Sequence, residues 1–270
     1  MNKLELTERQ LREREYYEEF CKKAETVEVC FDPVLGKEKR PWNPYWFVYE
    51  TALQNFKNDD QKLLDFGCGN GTSSIVFSKI GYEVYGFDIS ETNIALAEKL
   101  AKKYKFGYNT HFSVQIAERL NYPSDFFDVI TGIDILHHIE IKSTVKECHR
   151  LLRKGGIAIF REPIEAPIFD RMRNSKFGRW LVPKNKSFDR HITEDERKLT
   201  KSDLSEIKRI FPNIVITRFN FLSKIDPFIR RPGDQNPSFL EKVDYFLFRT
   251  FPFLHKLGGS AVLILRKENA

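Results

Sequence analysis

The stretch Leu63-Leu64-Asp65-Phe66-Gly67-Cys68-Gly69-Asn70-Gly71 constrains this chain more than any other part of it. Leu63 to Phe66 has the character of a short strand, and three glycines at alternate positions then let the backbone turn tightly and approach a ligand where a Cβ would clash. Thr72 to Ile80 reads as a helix whose unpaired N–H groups point back at that loop. Tyr82 to Phe87 reads as the next strand, with Asp88 at its end placed to accept hydrogen bonds from two neighbouring ribose hydroxyls. A single nucleoside cofactor spans both positions.

The spacing narrows the cofactor. A dinucleotide loop needs G-x-G-x-x-G, with its third glycine inside the helix, whereas this loop is G-x-G-x-G preceded by Asp65. An acid at that point repels a pyrophosphate and suits the ammonium group of an amino acid, which favours S-adenosylmethionine over NAD. At Asp65, Gly67, Gly69, Gly71 and Asp88 the chain resembles the class I S-adenosylmethionine-dependent methyltransferases, small-molecule subgroup. In that family D-x-G-x-G-x-G meets the methionine part of the donor, and the acid ending strand two holds the ribose.

The resemblance runs on. "VQIAERL" falls where the family meets the adenine edge, which places Ala117 and Glu118 there, with Ile116 in place of the usual aspartate. "FFDVITGIDILHHI" resembles the fourth strand and its turn, and "ECHRLLRKGGIAIFREP" the following helix, Lys-Gly-Gly turn and fifth strand. The implied fold is a Rossmann-like α/β domain with a seven-stranded mixed sheet of order 3-2-1-4-5-7-6, strand seven antiparallel. The implied donor contacts are Asp65, Gly67, Gly69, Asn70, Gly71, Asp88, Ile89, Ala117, Glu118 and Asp134.

Composition fits that frame. The chain has 270 residues, 41% of them apolar, enough for one large core. No long apolar run spans a membrane, and the charged start MNKLELTERQ lacks the apolar centre of a secretion signal, so a cytoplasmic protein is expected. Four cysteines without paired spacing fit a reducing compartment, with Cys68 filling space in the glycine loop. The net charge of +6 is a mild excess, and nucleic acid is not the expected partner. From Arg161 onward, however, 22 Lys plus Arg face 14 Asp plus Glu, which favours an anionic substrate or membrane surface.

Three stretches divide the work. Residues 1–60 are expected to form a helical lid, with Tyr16, Tyr17, Trp42, Tyr45, Trp46 and Tyr49 supplying aromatic rings and Tyr16 or Tyr17 reaching the site. Residues 61–270 form the methyltransferase domain, interrupted by a cap at 161–200 and a helical insertion at 221–258. Open α/β sheets bind ligands at the carboxyl ends of their strands, so the turns after strands one, two, four and five are the ones to inspect. His137 and His138 in the fourth turn are candidate proton acceptors at neutral pH. Arg161, Glu162, Arg190 and His191 are candidate substrate contacts.

Within 221–258, Phe239, Leu240, Val243, Phe246, Leu247, Phe251 and Leu254 make an apolar helical face, expected to pack on the sheet or else to lie on a membrane. The turn after strand four lacks the N/D-P-P-Y pattern of base-methylating relatives. O- or C-methylation of a small molecule, sugar intermediate or lipid-like acceptor by in-line transfer is therefore expected, with no metal required. The alternatives are a catalytically silent S-adenosylmethionine-binding protein and an NAD-dependent oxidoreductase.

Overall fold

A computed structural model describes residues 6–21, 28, 29, 31, 35, 36, 39–166, 197–226 and 238–268. Its strands are β1 (Lys62–Phe66), β2 (Glu83–Asp88), β3 (Thr110–Val114), β4 (Phe127–Ile133), β5 (Leu152–Pro163), β6 (Ile214–Phe219) and β7 (Ser260–Arg266). They form one sheet of order β3-β2-β1-β4-β5-β7-β6, in which β7 runs antiparallel to both β5 and β6. The helices are α1 (Glu8–Cys21), α2 (Pro44–Asn55), α3 (Thr72–Ile80), α4 (Glu91–Lys103), α5 (Ile141–Leu151), α6 (Lys201–Ile210) and α7 (Phe239–Thr250).

Both faces of the central strands are covered, which is why β1 and β4 read as nearly continuous apolar runs. Leu63 packs with Val48, Ala52, Phe77 and Tyr82 from the side of α2 and α3. Its neighbour Leu64 packs with Val145, Cys148, Ile207 and Phe211 from the side of α5 and α6. Side chains alternate across a strand, so a one-residue slip would exchange these partners. Helix α6 begins with a reciprocal cap between Thr200 and Asp203.

Two expectations are modified. The Lys154-Gly155-Gly156 turn is drawn into β5, because Gly155 N–H donates to Lys267 O and Lys267 N–H donates to Gly156 O. The positive φ of Gly155, 75°, absorbs the resulting irregularity. The apolar face expected on α7 is split: Phe239, Phe246 and Phe251 are exposed, while Leu240, Val243 and Leu247 are half-buried. The buried side instead carries Phe248 and Asp244. That carboxylate accepts the N–H groups of Phe221, Leu222 and Ser223 at 2.8–3.0 Å and the Ser223 hydroxyl at 2.7 Å.

Most of the expected cap lies outside the described residues. Its two ends meet in a short bridge between Ile164 and Leu199, beside the carboxyl end of β5. Among the described residues no helix is long and apolar enough to cross a membrane.

Asp244 is the main polar tie between α7 and the segment after β6. Replacing it by alanine leaves three inward-facing N–H groups without their acceptor, and the Asp244→Ala protein is expected to lose about 3 kcal/mol in urea unfolding. A loss below about 1 kcal/mol would show that α7 is held by its apolar contacts instead.

Candidate active site

After β1 the chain passes through Gly67, Gly69 and Gly71 with φ of 70°, 52° and 81°, a region that strains any residue bearing a Cβ. At Gly71, the N-cap of α3, an added Cβ would stand 2.7 Å from the Ala97 Cβ. At Gly69 it would meet nothing within 4 Å, because that side of the loop faces a cavity of about 1040 Å³. Gly67, Gly69, Asn70, Asp88, Ile89, Ala117, Glu118 and Asp134 line this cavity, as do His138 and Tyr17.

Asp88 is held rigidly. One carboxylate oxygen accepts Gly69 N–H at 3.0 Å, and the other accepts Ser90 N–H at 2.9 Å and the Asn93 amide at 3.1 Å. Burial keeps its carboxyl above the ordinary aspartate range despite these donors. The oxygen on Gly69 retains acceptor capacity toward the cavity, as a ribose diol requires. The loop, the open face of Gly69 and this carboxylate together fit the nucleoside and amino-acid parts of S-adenosylmethionine.

Asp65 departs from its expected position. It does not line the cavity; its buried carboxylate accepts the Ser74 hydroxyl at 2.6 Å from behind the loop. Burial pushes its pKa up to about 7. Tyr49 meets Ser73 at 2.9 Å, so neighbouring serines tie the start of α3 both to β1 and to α2. Asp65 therefore shapes the glycine loop through α3.

The turn after β4 is organised by Glu162, which is fully buried at the end of β5. Its Oε1 accepts Ile135 N–H at 3.0 Å and Leu136 N–H at 2.8 Å, and its Oε2 lies 2.7 Å from His137 Nδ1. Glu162 and His137 thus sit behind the cavity wall, and neither lines it, contrary to their expected substrate-contact and catalytic places. Asp134, at φ 56°, pairs with Arg161 and accepts the Tyr45 hydroxyl at 3.2 Å. The Arg161 guanidinium lies 4.5 Å from the centre of the Tyr45 ring and does not itself line the cavity. Asp134, His137 and Glu162 bring metal-ligating atoms within 4.8 Å of one another, but Arg161, Tyr45 and two backbone N–H groups already engage both carboxylates.

Helix α1 covers the cavity mouth. Thr7 and Gln10 cap its first turn reciprocally, and the Gln10 amide continues to Glu118 at 3.0 Å. Glu13 Oε1 lies 2.9 Å from His138 Nδ1, and Tyr17 Oη stands 3.5 Å from His138 Nε2. With Nδ1–H donated to the carboxylate, Nε2 carries the lone pair and faces a phenol; this tautomer follows from the hydrogen-bond partners. Tyr16 meets Tyr17 edge-on at 5.3 Å and stays outside the cavity.

Gln10, Glu13 and Asn93 escaped the sequence reading. Eight of the fourteen residues of α1 are charged, so nothing marked Glu13 among its neighbours. Arg190 and His191 lie outside the described residues.

Two outcomes follow for the loop. Asp88→Ala, which removes both the Gly69 tie and the ribose acceptor, is expected to weaken S-adenosylmethionine binding by roughly 10- to 100-fold in calorimetry; unchanged affinity would remove Asp88 from the donor site. Because burial raises the Asp65 pKa, the folded donor-free protein binds a proton that the unfolded chain has released, so this group lowers stability as pH rises from about 4 to about 7. Relative to Asp65→Asn, the wild type should lose stability over that window with a limiting slope of about 1.4 kcal/mol per pH unit. Parallel stability–pH curves for the two proteins would contradict it.

Comparison with known proteins agrees with the geometry. Residues 64–160 match the family described as "Methyltransferase domain". The chain is 30% identical over 193 residues to a ubiquinone biosynthesis O-methyltransferase of Pelagibacter ubique, covering 66% of this chain and 79% of that one. It is 25% identical over 203 residues to the protein of the same name from Rhizobium leguminosarum bv. trifolii, covering 68% and 80%. In fold it resembles geranyl diphosphate C-methyltransferase from Streptomyces coelicolor, with a TM-score of 0.56, 14% identity, and coverage of 98% and 99%. These relatives set the dehydrogenase alternative aside. The glycine loop, the acid ending β2, the sheet order and the sequence relatives converge: the chain belongs to the class I S-adenosylmethionine-dependent methyltransferases that act on small molecules.

Proposed function

We propose that the protein methylates the oxygen of a hydroxyl group on a phenol-like acceptor, with His138 taking the proton. The observation that carries this reading is the arrangement of His138, whose Nδ1 is held by Glu13 and whose Nε2 faces the Tyr17 hydroxyl at the cavity wall. An imidazole so oriented accepts a proton from an acceptor O–H that replaces the Tyr17 hydroxyl. The printed names of the sequence relatives, ubiquinone biosynthesis O-methyltransferases, support oxygen as the target.

S-adenosylmethionine supplies a methyl group on a sulfonium, so the transfer needs alignment more than activation. Gly67, Gly69 and Asp88 orient the donor, and Asp134, fixed by Arg161 and Tyr45, borders the acceptor side. Held there, the donor would give its methyl group to the acceptor oxygen and keep the S–CH₃ bonding pair, while His138 Nε2 takes the hydroxyl proton. Helix α1 acts as the lid, since it carries Gln10, Glu13 and Tyr17 and excludes water from the cavity when seated.

The test uses labelled methyl donor and a set of catechols with alkyl or isoprenoid tails. A methyl ether is the expected product. His138→Ala should lower kcat by about 100-fold or more with donor affinity unchanged, and the deficit should shrink toward pH 10 as the phenol ionises unaided. Methyl transfer to carbon, or an unchanged kcat in His138→Ala, would overturn the reading.

A further inference from the structure

Helix α7 is attached by one side and exposes large rings on the other. Asp244 and Phe248 face inward, whereas Phe239 and Phe246 are 76% and 66% exposed. Phe253, in the short 3-10 segment Pro252–Leu257, is 68% exposed and extends the row. The three phenylalanines recur every seven residues, and Lys242, Arg249 and Lys256 recur at the same interval three positions later. On α7 this sets Phe239 and Phe246 beside Lys242 and Arg249, all exposed; Phe253 and Lys256 follow in the 3-10 segment past the helix end at Thr250 and are exposed as well.

Among the described residues no acid pairs with the basic row. Lys242 lies 5.0 Å from the centre of the Trp42 ring and Arg249 donates to the Tyr245 hydroxyl at 2.8 Å, so both have uncharged partners. The two acids of α7 lie off the stripe, since Glu241 meets the Asn43 amide at 3.4 Å and Asp244 is buried. Large exposed rings grouped together mark an interaction surface. The three cations select an anionic partner, and a second copy of this chain would bring six cations together.

We propose that this stripe lies on a bilayer containing anionic lipids, with Phe239, Phe246 and Phe253 at the headgroup–acyl boundary and the three cations at the phosphates. The Asn43 contact joins α7 to the N-cap of α2, whose first turn carries Tyr45, so docking brings the Tyr45 edge of the cavity toward the lipid. The surface does not depend on the identity of the acceptor or on the role of His138.

Flotation of the full chain with vesicles tests it, using phosphatidylcholine alone and phosphatidylcholine mixed equally with phosphatidylglycerol. Binding is expected to the mixed vesicles only and to fall as salt rises. The variant Lys242→Glu/Arg249→Glu/Lys256→Glu should bind roughly 100-fold more weakly, and Phe239→Ser/Phe246→Ser/Phe253→Ser about tenfold or more. Both should keep wild-type S-adenosylmethionine affinity in calorimetry, which verifies their fold. No binding to the mixed vesicles, equal binding to both compositions, or variants that bind like wild type would overturn the proposal. So would a wild-type dimer that the phenylalanine variant dissolves.

Discussion

The buried carboxylate of Glu162 is the contact on which the acceptor side of the cavity depends. It sits at the carboxyl end of β5 and gathers two backbone N–H groups and an imidazole from the turn after β4. A carboxylate taken fully out of water is costly unless donors surround it, so this turn has little freedom to open. The same constraint gives the adjacent histidines different partners although their ring centres lie 4.0 Å apart: His137 is held by Glu162, and His138 faces the cavity and α1. Asp88 performs the matching task on the donor side by joining the glycine loop to the start of α4.

Between these two anchors, α1 supplies the remaining wall from far away in the chain. Among the described residues its ties to the cavity wall include two polar ones, Gln10 to Glu118 and Glu13 to His138. Polar contacts that exchange readily for water suit an element that must admit and release ligands, and elements held this way belong to the low-stability end of a fold. The proton-accepting role proposed for His138 then depends on whether α1 is seated. Oriented imidazole and closed cavity come together through one pair, Glu13 and His138.

Much of the donor site was legible because it is local. Three alternate glycines, a strand before them and an acid ending the next strand lie within 26 residues, and each is demanded by backbone geometry. Asp65 shows the limit of that reading. Charge alone aimed it at a ligand ammonium, but the hydroxyl of Ser74 lies closer and takes its carboxylate. Glu162 and Arg161 were singled out by their place at the carboxyl end of the fifth strand, yet they serve the turn and Asp134 instead of lining the cavity. Periodicity on α7 marked the apolar positions without saying which of them face the sheet, since Asp244 decides the rotation of that helix.

The sequence by itself determined the order of strands and helices, the class of methyl donor and the residues of the glycine loop, because short-range backbone rules and a resemblance in five successive motifs govern them. Only the tertiary structure decided which histidine borders the cavity, that Glu13 reaches it, and which ring row of α7 meets solvent. Those outcomes depend on contacts between residues as much as 125 positions apart, such as Glu13 and His138, and no local pattern encodes which polar group will find which partner.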